Sequence, residues 1–473
     1  MKPFSLPKDF LLGSATSATQ IEGGDRNNTW YRWCAAGHIK DGSSCLRAAD
    51  HWNRVEEDLK LLTATHQRTY RMSLEWSRIE PEAGVFSDEA LAHYRRELTL
   101  LIANGLRPLV TLHHFSIPLW FADLGGFLNA DSVVYFERYV RRVVEALGDL
   151  VQDYVTLNEP NVYATNGYYF GIWPPGIRDF RKTLKVCRNL IRCHLTAYAL
   201  IHSLREDHQF EGPTRVGAAH NLIVFEPFSR SLPDRLAAKL ADHLFQGAMV
   251  EAFTTGRLLP PLGFSVPGGR PLETAATSAA TTAAAAAASS RSSSEAPGRR
   301  RYSDFMGINY YSRAGVHGKN FSFEPLPGTP RNDLGWEIYP EGLKKLCRWS
   351  HHRHRHRHQI PLPIWITENG TCDAADAFRL QFIYNHLKMI SELIEEGIPI
   401  ERYYHWSLLD NFEWLEGESG PFGLYAVDFN TQERTLRKSG VFYADLCLNQ
   451  GVTASIIEKW AKLGWGQSTT KNL

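Results

Sequence analysis

The chain of 473 residues is 43% hydrophobic and 22% charged, with a formal net charge of +1. That composition supplies ample core for a water-soluble globular protein and excludes a general electrostatic attraction for nucleic acid or an acidic membrane surface. No stretch reaches the ~18 unbroken apolar residues of a membrane span, and residues 1–7 hold no apolar leader, so a cytoplasmic protein is expected. The seven cysteines show no short paired spacing of the zinc or thioredoxin kind and are read as scattered buried thiols of a reducing compartment.

Taken in order, short apolar runs alternate with longer amphipathic stretches. Strands are predicted over residues 10–15, 68–74, 108–113, 154–158, 215–221, 304–309, 364–368 and 403–407. Between several of them lie helical patterns at 88–103, 132–147, 183–205, 233–254 and 375–396. In the last, Phe378, Phe382, Ile383, Leu387, Ile390 and Ile394 recur at three- and four-residue steps, which buries one face. Strands separated by helices pair in parallel through right-handed crossovers, and eight of them close into a (β/α)8, or TIM, barrel of the α/β class. Residues 1–473 are therefore expected to form one catalytic barrel with long loops at the C-terminal face of its strands. Two stretches interrupt it. Residues 273–300 are rich in Ala, Thr and Ser and are read as a disordered surface insertion between strands five and six; residues 350–358, rich in His and Arg, are read as a solvated loop before strand seven.

Two strands end in the same way. Val155-Thr156-Leu157-Asn158-Glu159-Pro160 and Ile364-Trp365-Ile366-Thr367-Glu368-Asn369-Gly370 are each a β-branched apolar run, a polar residue, a glutamate and a residue that stops regular structure. A buried strand that delivers a carboxylate to its C-terminal mouth has this form. Two carboxyl groups facing each other are the minimum apparatus for breaking a glycosidic bond: one stabilises or attacks the cationic sugar carbon while the other hands a proton to the departing oxygen. The amide of Asn158 can hold a sugar 2-hydroxyl, and Gly370 is expected to permit a tight turn behind Glu368. Other chemistry-bearing residues also fall at predicted strand ends, namely Gln20, Arg71, His114, Asn309 and Trp406. His113-His114 has no third ligand at zinc spacing, so no metal or other cofactor is expected.

These motifs together resemble glycoside hydrolase family 1, the β-glucosidase and β-galactosidase family. The resemblance is carried, in family order, by Phe10-Leu11-Leu12-Gly13 through Gln20-Ile21-Glu22-Gly23, by Tyr70-Arg71-Met72-Ser73-Leu74-Glu75-Trp76, and by the two glutamate motifs. It continues in Gly307-Ile308-Asn309-Tyr310-Tyr311 and in Trp406-Ser407-Leu408-Leu409-Asp410-Asn411-Phe412-Glu413-Trp414. It implies a retaining β-glycosidase acting at the non-reducing end of small oligosaccharides or aryl and alkyl β-glycosides, glucosides first and galactosides or fucosides beside them. Glu368 would be the nucleophile and Glu159 the general acid and then base, with Arg71, Tyr311 and Asn309 in the same catalytic group. Gln20, His114, Asn158, Glu413 and Trp414 would hold sugar hydroxyls; Trp406 would floor the ring, Phe422 close its side, and Trp336 stand on the aglycone side.

The sequence departs from the family where Phe115-Ser116 follow His114 in place of Trp-Asp, where Asn161 replaces a tryptophan, and where Gly420-Pro421 precede Phe422 without a basic residue. The alternatives weighed are a 6-phospho-β-glycosidase, against which Glu413 and the absence of Lys or Arg in Glu418-Ser419-Gly420-Pro421 speak, and a non-catalytic sugar-binding module, against which the retention of both carboxylates speaks.

Overall fold

The computed structural model describes residues 1–263, 301–358 and 362–464, so the expected insertion at 273–300 lies outside the described residues. Eight parallel strands close into a barrel in the order in which they occur along the chain. They are β1 Leu11–Ala15, β2 Thr69–Ser73, β3 Arg107–Thr111, β4 Asp153–Asn158, β5 Arg215–Asn221, β6 Met306–Tyr310, β7 Ile364–Asn369 and β8 Ile400–Trp406. Closure is made by β8 on β1, with Tyr403 opposite Leu12 and Trp406 opposite Ala15. Both glutamate-bearing strands, β4 and β7, are buried along their whole length, as strands are when helices cover one face and barrel side chains the other.

The outer helices follow their caps. Helix Asp88–Ala103 begins where the Ser87 hydroxyl accepts the Ala90 N–H. Helix Phe180–Asp207 starts before the predicted 183 because the Asp179 carboxylate accepts the N–H groups of Arg181 and Lys182. The helix expected from 375 begins instead at Arg379, because Asp373 takes the N–H groups of Ala377, Phe378 and Arg379 and holds the preceding residues in a turn. The stretch expected as one helix over 233–254 is broken into Leu232–Asp242 and Ala248–Thr255 by a wider π-helical turn at His243–Gly247.

The expected solvated loop at 350–358 is a correction. Helix Pro340–His352 runs through its first residues and continues into a π-helical turn, Arg353–His358. Arg353 is buried because it has a charge to meet: its guanidinium donates to Glu251 at 2.6 Å and to the Gly247 carbonyl at 3.1 Å. His354 is buried beside Thr254 and Ser350. The arginine that seemed to mark solvent instead pins this turn to helix Ala248–Thr255.

The interior of the barrel has two ends of different character. At the N-terminal end, the fully buried Asp153 of β4 receives Arg107 at 2.6 Å, Arg215 at 2.9 Å and Arg402 at 2.8 Å. Above them Trp365 stacks on Phe305 with ring centroids 3.6 Å apart, and the Arg402 guanidinium lies 3.6 Å from the Trp365 ring. This ionic and aromatic plug closes the floor. The polar side chains at the other end of the same strands are the ones that matter for chemistry.

Candidate active site

Glu159 follows the last residue of β4 with φ at +40°, the left-handed region that side chains other than glycine rarely adopt, and Pro160 opens the next helix behind it. This backbone turns its carboxyl group toward two amides. Oε1 accepts from Asn309 Nδ2 of β6 at 2.8 Å and from Asn221 Nδ2 of β5 at 3.0 Å. Burial and then the nearby charge of Glu368 push its pKa up to about 8.

Glu368, in β7, has different company. Its Oε1 accepts from the Arg71 guanidinium of β2 at 2.6 Å, and its Oε2 accepts from the Tyr311 hydroxyl at 2.5 Å. Burial raises its pKa as well, but Arg71 and Tyr311 pull it back. A full positive charge favours ionisation more than neutral amides do. A single proton shared between the two carboxyl groups therefore resides on Glu159 and leaves Glu368 the anion.

The two sides are tied through amides. Asn158 Oδ1 accepts from Arg71 at 2.7 Å and from Asn309 at 3.0 Å. This fixes the orientation of its side chain, since an NH2 group turned toward a guanidinium would set donor against donor. Thr367 donates to Asn309 Oδ1 at 2.6 Å, and Arg71 also donates to Thr111 at 3.1 Å and to the Thr367 carbonyl at 3.0 Å. With Asn158 so fixed, its Nδ2 lies 3.0 Å from His114 Nε2, which must accept and leaves the ring proton on Nδ1. His114 is held neutral by burial and by the charge of Arg71, and among the described residues its buried Nδ1 has no hydrogen-bond partner, an N–H suited to a ligand hydroxyl.

The sugar-ligand residues expected from sequence fall around this centre. Trp406, at the end of β8, and Trp414 lie nearly parallel to His114, with ring centroids 5.8 and 6.1 Å away. Gln20 donates to Asn411 and to the Phe412 carbonyl, both at 3.0 Å, and reaches Glu413 at 3.4 Å. Glu413 is half-buried, and its pKa is pushed up to about 8 by burial and by the two other carboxyl groups, against the opposing hydrogen bond from the Trp406 indole. Tyr311 meets Trp336 and Phe422 edge-on at 5.8 and 6.3 Å, and Trp336 is 38% exposed at the rim. His113, by contrast, packs edge-on against Phe127 and Tyr163 and belongs to the core.

Gly370 is needed for a reason other than the expected tight turn. Its φ is not positive; a Cβ there would sit 1.8 Å from the Trp406 carbonyl oxygen. Glycine lets the ends of β7 and β8 approach at Trp406, the residue after the Asn369–His405 pairing. Three contributors went unnoticed in the sequence. Asn221 ends β5 as Asn158 ends β4, a signal that was available. Thr367 and Thr111 carried none, because a threonine in a strand is ordinary β-structure.

A parallel barrel that keeps one carboxyl protonated and another ionised at its C-terminal end, beside amides, a neutral histidine and indole faces, defines a sugar-cleaving hydrolase. Residues 2–452 match the family model described as glycosyl hydrolase family 1. The chain belongs to that family, whose members are retaining glycosidases. It is 32% identical to beta-glucosidase A of Acetivibrio thermocellus, covering 95% of this chain and all of that protein, and 30% identical to beta-glucosidase A of Thermotoga maritima over 94% and 98%. Among solved structures, the beta-glycosidase from Pyrococcus horikoshii superposes with a TM-score of 0.81 at 32% identity over 100% of both chains. The family 1 b-glucosidase from Thermotoga maritima gives a TM-score of 0.82 at 29% identity, over 96% of this chain and 100% of that one. Among the described residues no helix is long and apolar enough to cross a membrane.

Proposed function

We propose that this chain hydrolyses β-glucosides from their non-reducing end, with Glu368 as nucleophile and Glu159 as acid and base. In the first step the Glu368 carboxylate bonds to the anomeric carbon while the Glu159 proton passes to the glycosidic oxygen, and the alcohol leaves. Glu368 has now lost its charge to an ester, so the repulsion that kept the proton on Glu159 is gone and Glu159 becomes a base. It takes a proton from water as the water oxygen bonds to the anomeric carbon, and Glu368 departs as a carboxylate, with Arg71 and Tyr311 placed to receive its charge. Two inversions give net retention.

The observation that carries this reading is the unequal company of the two carboxyl groups: a guanidinium and a phenol on Glu368, two amides on Glu159. Glucosides, with galactosides and fucosides beside them, suit a site whose hydroxyl partners are Gln20, His114, Asn158 and Glu413, and the relatives named beta-glucosidase support the same choice. Glu413 stands against a 6-phosphorylated sugar, since a phosphate calls for a cationic partner and a carboxyl group supplies none. Seven free cysteines favour a reducing compartment, the cytoplasm.

The test is hydrolysis of an aryl β-glucoside by the purified protein and by Glu368→Ala. The variant is expected to lose turnover by at least ~10³-fold, and added azide, filling the space of the lost carboxylate, restores it with an α-glycosyl azide as product. Unchanged hydrolysis by Glu368→Ala refutes the nucleophile assignment.

A further inference from the structure

Cys34 and Cys45 stand out from the other cysteines. Their sulfurs are hydrogen-bonded at 4.0 Å, Cys34 is partly exposed on helix Thr29–Ala35, and Cys45 is buried at 3% exposure in the segment that follows. A disulfide needs its sulfurs at about 2.05 Å, so closing the bond requires these two to approach by about 2 Å. The residues on either side of Cys45, Ser44 and Leu46, line a surface depression of about 580 Å³, which opens this segment to small solutes.

Both cysteines sit on segments that grip the loop bearing Glu413 and Trp414. Helix Thr29–Ala35 also carries Trp30, whose ring centroid is 4.6 Å from that of Trp414. The segment before Cys45 supplies the loop's hydrogen bonds: Lys40 N–H donates to the Leu415 carbonyl at 2.9 Å, and Asp41 accepts the N–H groups of Glu418 and Ser419 at 2.7 and 3.1 Å. Beyond Cys45, Arg47 pairs with Glu418 at 2.7 Å. Any movement that draws Cys45 toward Cys34 is therefore passed to the 413–419 loop.

We propose that Cys34 and Cys45 form a reversible disulfide site, closed by a small hydroperoxide, that alters the sugar-gripping loop carrying Glu413 and Trp414. Cys34 reacts first. The Cys34 thiolate attacks one peroxide oxygen and becomes a sulfenic acid as the other oxygen leaves with a proton, as water when the oxidant is hydrogen peroxide. Cys45 sulfur then attacks Cys34 sulfur, and the hydroxide displaced takes the Cys45 proton and leaves as water. The two sulfurs give up two electrons, which reduce the peroxide bond. The order fits the protonation of the pair: contact with Cys45 brings the Cys34 thiol down to about 7, while contact with Cys34 and burial hold Cys45 high. A dithiol reductant reverses the bond by exchange.

The experiment treats the whole protein with hydrogen peroxide, quenches it, counts thiols after denaturation, maps linked peptides by mass spectrometry, and measures hydrolysis of an aryl β-glucoside. Two of the seven thiols are expected to be lost, in a Cys34–Cys45 cross-link. KM is expected to rise by roughly threefold to tenfold, the change for about one hydrogen bond lost to the sugar, and to return with dithiothreitol. Cys34→Ser retains basal activity, forms no cross-link and shows no KM shift under peroxide; Cys45→Ala, checked for folding by circular dichroism, behaves likewise. Seven thiols surviving in the wild type, or a cross-link elsewhere, overturns the site. A Cys34–Cys45 cross-link with unchanged KM, or the same KM shift in Cys34→Ser, overturns its link to the loop. The thiol count does not depend on the sugar reading of Glu413, so failure of the disulfide and failure of the proposed catalysis are told apart.

Discussion

Replacing Glu368, the proposed nucleophile, with glutamine keeps the size of the side chain and removes its charge. Glu159 owes its pKa of about 8 first to burial and next to that charge. At the ~5–5.5 Å that separates carboxyl groups in a retaining site, an effective dielectric of about 20 gives roughly 3 kcal/mol of repulsion, or about two pH units. Glu159 should thus titrate near 6 in Glu368→Gln, with burial, less the opposing pull of Asn309, Asn221 and Arg71, accounting for what remains above an ordinary glutamate. The wild-type value is read from the alkaline limb of kcat/KM, which reports the free enzyme and should bend near 8 as Glu159 loses its proton. The variant, too slow for kinetics, is followed by the 13C shift of the Glu159 carboxyl against pH. If that carboxyl still titrates near 8 in Glu368→Gln, burial alone sets its protonation, and the account in which esterification converts the acid into a base is wrong.

Glu159→Ala should lower kcat/KM by ~10²–10⁴-fold for glucosides with poor leaving groups and much less for activated aryl glucosides, which need no proton; equal losses across a leaving-group series contradict the acid role. Gly370→Ala would set a Cβ 1.8 Å from a backbone oxygen of Trp406, so a loss of more than about 2 kcal/mol of stability, read from urea midpoints, should accompany reduced kcat. Arg402→Met leaves Asp153 with two of its three arginines and should cost less than the roughly 3–5 kcal/mol of a buried charge left wholly unpaired. The Asp153 pKa is lowered, since Arg402, Arg215 and Arg107 outweigh the burial that opposes them. Its contribution is therefore present above the unfolded value of about 3.9 and lost as pH falls through the lower folded value. The gap between wild type and Arg402→Met should narrow below about pH 4; a gap that widens there contradicts the ion-cluster account.

The barrel was legible because its signal is repeated: each strand is short, apolar and followed by a helix, and all of the predicted strands recur in the structure within a few residues. The boundaries that moved did so where a single carboxylate redirects the backbone, as Asp179 and Asp373 do, and such captures leave little trace in periodicity. The arginines at 353–357 misled for a related reason. Their spacing describes a solvated surface unless one of them has a buried partner, and Glu251, the partner of Arg353, lies about a hundred residues away in sequence.

The site shows the same division between what is local and what is not. In sequence the two glutamates are near equivalents: each ends a β-branched strand, each follows a polar residue, each precedes a residue that stops the strand. Nothing within either motif says which carboxyl keeps the proton. The difference comes from the neighbouring strands, because parallel closure sets Arg71 of β2 and Tyr311 after β6 against Glu368, and Asn221 of β5 and Asn309 of β6 against Glu159. Exchanging a guanidinium for an amide changes the free energy of a buried carboxylate by more than any feature of its own strand. The proposed roles of acid and nucleophile would thus be a property of barrel closure, and a substitution at Arg71 should disturb the division of labour more than one at Asn158, although Asn158 stands directly beside Glu159 in the chain.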